Sequence, residues 1–201
     1  MFDRDQFIEE CRAATADAAA DPARKALREV IARAVADPAA VMRGLGEPTR
    51  SGVNLLYRSD TLTIVNLIWA PRMSVFPHNH NTWAVLGIYS GREDNIFWRR
   101  RPRDAERATE ATGGEREIEA AGARSLCVGD VEVLGRDVIH SVLNPIDRMT
   151  GAIHVYGTDF VTIPRSEWPA ETLREVPLDH AVQARRFAEE NDRLRAGAMA
   201  G

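Results

Sequence analysis

The sequence predicts a mainly β fold with helices added at both ends. The middle of the chain is rich in β-branched and aromatic residues, and its short apolar runs are separated by Gly, Pro and Asp turns. The first forty or so residues instead place apolar side chains at helical spacing, as does a charged segment near the C-terminus. Many short strands with frequent turns are typical of a closed or sandwich-like β architecture.

The N-terminal part, residues 1–48, is predicted to be a helical cover. Two apolar stripes at helical spacing lie in it, and the second should end before Asp37-Pro38. The stripes contain Phe7, Ile8 and Cys11, and then Leu27, Val30 and Ile31. Such a stripe can pair with another copy of the chain or cover the chain's own sheet. We expect it to cover the chain's own sheet.

Residues 52–168 are predicted to form the β barrel, and residues 179–196 a C-terminal helix. Phe187 and Leu194 give this helix only a thin apolar stripe, so we expect it on the surface. With 201 residues, the chain is long enough for one such domain and too short for two comfortable ones.

Composition and charge exclude several classes of function. The net charge is −4 and the sequence pI is near 5.8, so neither nucleic acid nor an anionic membrane is an expected partner. The charged N-terminus does not resemble a signal peptide, and no apolar run approaches the length of a membrane span. Cys11 and Cys127 lie far apart, and we expect reduced, buried thiols. The sequence therefore predicts a soluble cytoplasmic protein.

Three histidines in strand-like runs predict a metal site. Side chains alternate between the faces of a strand, so His78 and His80 point to the same side and Asn79 to the other. A third donor, His140, lies in another strand-like run. The alternative is that each histidine is isolated, and either buried with a hydrogen bond or exposed. The paired spacing together with the third histidine favours the metal.

The first histidine segment resembles the first motif of the cupin superfamily, which runs Gly-x5-His-x-His-x3/4-Glu-x6-Gly. His78 and His80 match the two histidines, and Gly91 matches the closing glycine. Arg72 replaces the opening glycine, and Ala84 stands where the acidic ligand would be. This resemblance implies a cupin double-stranded β-helix barrel.

The second histidine segment resembles the second cupin motif, Gly-x5-Pro-x-Gly-x2-His-x3-Asn. Gly129, His140 and Asn144 match, and the histidine keeps its register with the asparagine. Gly135 and Asp137 replace the proline and the second glycine. We expect Asn144 to have a structural role.

Three histidines without the glutamate resemble the thiol dioxygenase branch of the cupins. Cysteine and mercaptopropionate dioxygenases carry a Ser-x-His-x-Tyr relay downstream, which His154 and Tyr156 match here. Ala152 replaces the serine, and this leaves His154 without its usual partner. The resemblance implies Fe(II) as cofactor, a small thiol carboxylate and dioxygen as substrates, and a sulfinate as product. His154 and Tyr156 would act next to the metal ligands.

The same resemblance implies an arginine that binds the substrate carboxylate, because a guanidinium matches a carboxylate with two parallel hydrogen bonds. Arg165 follows the His-x-Tyr strand, where the bacterial mercaptopropionate enzymes keep theirs. Arg58 lies on an early strand, where cysteine dioxygenases keep theirs. We prefer Arg165. Trp83 is expected to be structural or to line the pocket mouth.

Several alternatives stay open at the sequence level. Three histidines also suit zinc, which cannot transfer electrons and would serve hydrolysis or binding. The metal could support another reaction, such as the cleavage of a carbon–carbon bond, or the protein could bind a small ligand without catalysis. The sequence allows a monomer or a homodimer.

Overall fold

A computed structural model describes residues 2–17, 21, 24–101 and 117–199. The helices within these ranges are α1 (Arg4–Thr15), α2 (Lys25–Val35), α3 (Pro38–Leu45) and α4 (His180–Met199). The strands are β1 (Gly52–Arg58), β2 (Thr63–Trp69), β3 (Ser74–Asn79), β4 (Ala84–Ser90), β5 (Arg92–Arg100), β6 (Ile118–Cys127), β7 (Val131–Leu134), β8 (Ile139–Leu143), β9 (Thr150–Tyr156), β10 (Ser166–Glu167) and β11 (Val176–Pro177).

The strands form two antiparallel sheets. The first has the order β1-β2-β9-β4-β7 and the second the order β11-β10-β3-β8-β5-β6. From β2 to β9 the eight strands pair from the outside inwards: β2 with β9, β3 with β8, β4 with β7, and β5 with β6. This nested pairing across two sheets is the double-stranded β-helix. The predicted mainly β, cupin-type fold with helices at both ends is confirmed.

The alternation of side chains places one core between the sheets and another under the N-terminal helices. On β9, His154 and Tyr156 face the space between the sheets, whereas Ile153 and Val155 face the helices. Every residue of β2 and β9 is buried, because both faces of the first sheet are covered. This explains why the sequence of β2 reads as a nearly continuous apolar run.

Helix α2 lies directly on the first sheet. A Cβ atom added at Gly87 on β4 would come within 2.4 Å of Ile31 Cγ2, so the glycine permits the close approach of the helix. Leu27, Val30 and Val35 are buried in the same contact. The interpretation that the N-terminal stripes cover the chain's own sheet is confirmed.

A positive backbone φ at Gly91 sets the start of β5. Its φ is +76°, and an added Cβ would lie 2.3 Å from Thr150 Oγ1. The same hydroxyl accepts a hydrogen bond from Arg92 N at 2.9 Å and donates to Arg92 O at 2.8 Å. The turn therefore fixes the register in which Glu93 enters the barrel.

Asn144 has the structural role expected for it. Its Nδ2 donates to Ala70 O at 2.9 Å and to Arg148 O at 2.8 Å, and its Oδ1 accepts from Ile146 N at 3.2 Å. The side chain thus ties the connection after β8 to the connection after β2.

Helix α4 is exposed along most of its length, as expected, but it also closes one side of the barrel. Phe187 is buried and stacks on Trp69, with ring centroids 5.6 Å apart. Asn191 is buried against Ser51: its Oδ1 accepts from Ser51 N at 2.9 Å, and its Nδ2 donates to Ser51 O at 2.9 Å. The thin apolar stripe is enough to hold the helix, because the hydrogen bonds between Asn191 and Ser51 add to the burial of Phe187. We call these hydrogen bonds the Asn191–Ser51 clasp.

Both cysteines are free thiols. Cys11 is buried on α1, whereas Cys127 at the end of β6 is exposed. The expectation of two buried thiols is therefore wrong for Cys127, whose β6 strand lies at the edge of the second sheet. Among the described residues, no helix combines the length and apolar character needed to cross a membrane.

Candidate metal centre

Strand pairing brings three histidines together between the sheets. His78 on β3 is directly opposite His140 on β8, and His80 follows two residues after His78. Their ring nitrogens lie within 4.8 Å of one another, and all three residues are buried. No carboxylate of the described residues belongs to this group. The predicted convergence of three imidazoles from two segments is observed.

Hydrogen bonds fix the protonation of two of these rings. His78 Nδ1 lies 2.9 Å from Phe76 O, which can only accept, so His78 carries its proton on Nδ1. His140 Nδ1 lies 2.7 Å from Asn95 Oδ1 and donates to it in the same way. Both rings therefore direct the lone pair of Nε2 towards the cavity, which is how metal-bound histidines are usually oriented.

The third ring completes a donor set that fits a divalent metal ion. His80 Nε2 lies 3.0 Å from His140 Nε2, and His80 Nδ1 is buried with no hydrogen-bond partner in the part of the chain that the structure describes. Two ring nitrogens this close need a proton or a cation between them. Burial lowers the pKa of His78 to about 4 and lowers the pKa values of His80 and His140 well below their usual range. The rings are therefore neutral near pH 7, as metal ligands must be.

A buried carboxylate, Glu93 on β5, lies behind the histidines. Its Oε2 accepts from Trp69 Nε1 at 2.8 Å, and its Oε1 accepts from Asn95 Nδ2 at 3.0 Å. Asn95 Nδ2 donates to Glu93, so Asn95 Oδ1 is left to accept the hydrogen bond from His140 Nδ1. Burial alone would raise the pKa of Glu93, but the interaction with His154, followed by the hydrogen bonds from Asn95 and Trp69, outweighs burial and lowers the pKa below its usual value. Glu93 is therefore a carboxylate that orients His140 through Asn95.

Glu93 was not predicted from the sequence, although a signal for it exists. The charged run that contains Glu93 directly follows Gly91, so the sequence reads there as part of a turn. However, Glu93, Asn95 and Phe97 alternate with period two, and this is the spacing of side chains on one face of a strand. The structure shows that the strand starts at Arg92.

His154 and Tyr156 lie on the inner face of β9, beside the three histidines. His154 Nδ1 is 3.0 Å from the Tyr156 hydroxyl, and the Tyr156 ring meets the edge of His80 with centroids 5.2 Å apart. On its other side, His154 Nε2 lies 3.8 Å from Glu93 Oε2, at ion-pair distance. Ala152 leaves His154 without the serine of the relay, and within the described residues its Nε2 has no hydrogen-bond partner; Glu93 faces the ring at ion-pair distance only.

Arg165 enters the same cavity as a buried cation. It is 8 % exposed, and its guanidinium lies 4.0 Å from the centre of the Phe160 ring. Its Nη2 donates to His180 Nδ1 at 3.3 Å, while its Nε is buried with no hydrogen-bond partner within the described ranges. Burial lowers the pKa of Arg165 to about 10, so the group remains charged at neutral pH. No carboxylate of the described residues pairs with it, and it is thus suited to an anionic ligand.

The other two predicted substrate residues lie outside the cavity. Arg58 forms a two-pronged ion pair with Asp159, with both N–O distances 2.8 Å, at the protein surface. Trp83 packs against Gly157 and beneath the Arg24 guanidinium, which lies 4.5 Å from its ring centre. The tryptophan therefore belongs to the side of the sheet that the helices cover. Neither residue lines the space around the histidines.

The histidines open into a cavity of about 550 Å³. Its walls come from the inner faces of both sheets, from the segment around Arg165 and from α4. His180, at the start of α4, lines the cavity without joining the three-histidine group. No local sequence pattern marks this position, because the fold brings α4 back over the barrel only after a long connection.

Comparisons with known proteins agree with the fold and go no further. No family model matches the sequence, and no curated protein shows a significant match to it. An RmlC-like cupin protein with a double-stranded β-helix fold from Methanocaldococcus jannaschii has a TM-score of 0.42 and 12% identity, covering 57% of this chain and 85% of that one.

Two enzymes are also similar in structure. DMSP lyase from Ruegeria pomeroyi has a TM-score of 0.41 and 15% identity, covering 58% of this chain and 50% of that one. An oxalate oxidase in complex with glycolate has a TM-score of 0.39 and 14% identity, covering 56% of this chain and 53% of that one. This chain thus spans about half of each enzyme. The fold assignment rests on the strand pairing described above and not on these likenesses.

Proposed function

We propose that this protein is an iron-dependent thiol dioxygenase that converts a thiol carboxylate to its sulfinate. The observation that carries the proposal is one cavity that holds three neutral imidazoles and, beside them, a buried arginine, with no carboxylate of the described residues joining the imidazoles or pairing with the arginine. The overall change is R–SH + O₂ → R–SO₂H: the O–O bond breaks, two S–O bonds form, and the sulfur loses four electrons to the oxygen.

The charge of the ligand set supports a thiol substrate. Three neutral imidazoles leave both positive charges of a divalent ion uncompensated by its ligands, so the site favours an anionic ligand. A thiolate is both anionic and soft, and a nearby cation lowers the pKa of a thiol by stabilising its charged form. When bound, iron would supply the redox chemistry by which dioxygen is reduced and the sulfur is oxidised. His78, His80 and His140 would hold it.

Arg165 would position the substrate. Arg165 lines the cavity, and a carboxylate would satisfy its Nε–H, which has no hydrogen-bond partner among the described residues. Phe160 lies under the guanidinium and restricts its rotation, so the carboxylate would be held in one orientation. Such orientation lowers the entropic cost of bringing the sulfur to the reacting position.

Tyr156 and His154 would organise the polar side of the cavity. A charged Glu93 favours a proton on His154 Nε2, so Nδ1 is left to accept the hydrogen bond from the Tyr156 hydroxyl. The phenol oxygen then presents its lone pairs to the cavity and can accept a hydrogen bond from the substrate. Burial raises the pKa of Tyr156 above its usual value, so the phenol keeps its proton.

The substitution Arg165→Lys tests the proposed carboxylate anchor. A lysine keeps the charge but loses the two-pronged hydrogen bond, so we expect KM for the thiol acid to rise roughly 10- to 100-fold while the iron content stays unchanged. The measurement is dioxygen uptake and sulfinate formation over a panel of cysteine, 3-mercaptopropionate and cysteamine.

Arg58→Lys is the matched control, because Arg58 is paired at the surface with Asp159. It should leave KM unchanged. Equal kinetics for the two variants would remove Arg165 as the anchor. Uptake of dioxygen without sulfinate from any thiol of the panel would instead favour another oxidation at the same centre, and zinc in place of iron would favour hydrolysis or binding.

A further inference from the structure

The cavity is larger than a simple thiol acid requires. At a water molecule's share of about 30 Å³ for each non-hydrogen atom, a seven-atom thiol carboxylate takes about 210 Å³ at most. The cavity volume is about 550 Å³. More than half of the space therefore remains after the histidines and Arg165 have received such a ligand.

The additional space is bordered by an apolar surface on the first sheet. Val65 and Leu67 on β2 face the cavity, and they pair with Leu55 and Val53 on the edge strand β1. Val53 is 51 % exposed and Leu55 is 53 % exposed, although both lie on the inner face of the sheet. Opposite them, Phe187 of α4 forms the other wall. We call the space between Val53, Leu55, Val65, Leu67 and Phe187 the apolar slot.

The apolar slot runs away from the polar end of the cavity. On β2, Val65 is paired with His154, and Trp69 lies four residues further on, which is about 13 Å along the strand. Helix α4 follows the same direction, since His180 at its start contacts Arg165 and Asn191 contacts Ser51 beside β1. One end of the cavity thus carries Arg165 and the histidines, and the apolar slot leads from there towards the end where Arg50, Ser51 and Asn191 also line the wall.

We infer that the ligand of this site is an amphipathic carboxylate, with its carboxylate at Arg165 and an apolar chain or ring in the apolar slot. The inference deepens the proposed function and rests on it for the arginine anchor. Val53 and Leu55 are half exposed on the wall of a cavity that also contains the buried Arg165 Nε, for which the described residues provide no hydrogen-bond partner. A ligand with both a charge and an apolar body matches both ends, whereas a small hydrophilic thiol acid matches only one.

Calorimetric titration of straight-chain acids without a thiol tests the inference separately from catalysis. The probes are propanoate, hexanoate, octanoate and decanoate, added to the protein as purified. Because each buried methylene contributes about 0.8 kcal/mol, affinity should rise roughly threefold to fourfold per added carbon until the slot is full. An affinity that does not depend on chain length would overturn the inference and leave the arginine anchor standing.

The variants Val53→Ser and Leu55→Ser locate the chain. Both positions are half exposed, so the fold should tolerate the change, and circular dichroism checks this. Each variant should bind octanoate several-fold more weakly and propanoate unchanged. Val128→Ser is the matched control, since Val128 is 43 % exposed and does not line the cavity. Octanoate binding that survives in both slot variants would show that the chain lies elsewhere, which would overturn the inference.

Two further outcomes separate this inference from its alternatives. Octanol binding as tightly as octanoate would leave the slot in place but contradict the carboxylate at Arg165, and with it the anchor of the proposed function. A dimer in light scattering that Val53→Ser dissociates would show that a second copy of the chain covers the slot, and this would overturn the inference.

Discussion

At the scale of single residues, Glu93 acts on the candidate metal centre without belonging to it. It orients His140 through Asn95, and on its other side it faces His154, which is hydrogen-bonded to Tyr156. One carboxylate thus supports both a metal-ligand candidate and the residue pair that faces the substrate. Partners of this kind commonly contribute one to two orders of magnitude to metal affinity or activity.

Glu93→Gln tests this role. The amide keeps the shape of the side chain but removes the charge that favours a proton on His154 Nε2, so we expect metal affinity or turnover to fall roughly 10- to 100-fold. The measurements are metal titration and steady-state kinetics of the same preparation. Asp94→Asn is the control, since Asp94 pairs with Arg92 near the surface. Equal effects of the two substitutions would contradict the role of Glu93.

The sequence could predict the three histidines but not their support. His78, His80 and His140 follow from the period of a strand and from two motifs whose spacing is local. Glu93 and Asn95 act across sheets, and their contribution depends on how strands distant in sequence pair. The same limit applies to Arg58 and Arg165, because only the three-dimensional arrangement shows which of the two reaches the cavity. Arg58, for example, pairs with Asp159, which lies 101 residues away in the sequence, so its partner could not be predicted from its local sequence.

At the scale of secondary-structure elements, α4 is held over the barrel by a small number of contacts. The Asn191–Ser51 clasp is buried, and the Ser51 hydroxyl also donates to Asn191 Oδ1 at 3.0 Å. The stripe of Phe187 and Leu194 predicted a helix but could not predict what it covers, since a thin stripe is compatible with many surfaces. The short strands β10 and β11 were not predicted for a related reason: two residues are too few to show a period.

Asn191→Ala tests the clasp. The substitution removes the hydrogen bonds with Ser51 and leaves the Ser51 backbone groups without these partners, so we expect the free energy of unfolding to fall by about 2–3 kcal/mol. Urea unfolding measures this. Asp192→Ala, at the exposed neighbouring position, should change the free energy by less than about 0.5 kcal/mol. Similar stability of both variants would show that the clasp does not hold α4.

At the scale of the whole molecule, the nested strand pairing explains why the fold was predictable. Each strand contributes its own alternation, and the turns at Gly91 and Gly129 have the positive φ that favours glycine. The helical cover was predictable because its stripes bury one face. The size of the cavity was not predictable from the sequence, because it depends on where α4 returns to the barrel.

The reactivity of the two thiols tests whether the N-terminal helices are packed on the barrel. Burial raises the pKa of Cys11 to about 12, so its thiolate is scarce near pH 8, whereas Cys127 is exposed. We expect a colorimetric thiol reagent at pH 8 to modify one cysteine in the native protein and both after unfolding in urea. Cys127→Ser should abolish the native reaction. Rapid modification of Cys11 in the native protein would contradict the packing of α1 on the barrel.

The most direct test of the central claim is the iron content of the protein and of two single-histidine variants. After reconstitution with Fe(II) without oxygen and removal of the excess, we expect one ion per chain in the parent protein. We expect none in His140→Ala and one in His180→Ala, because His180 lines the cavity outside the three-histidine group. Full iron occupancy in His140→Ala would contradict the claim that three converging imidazoles hold the metal.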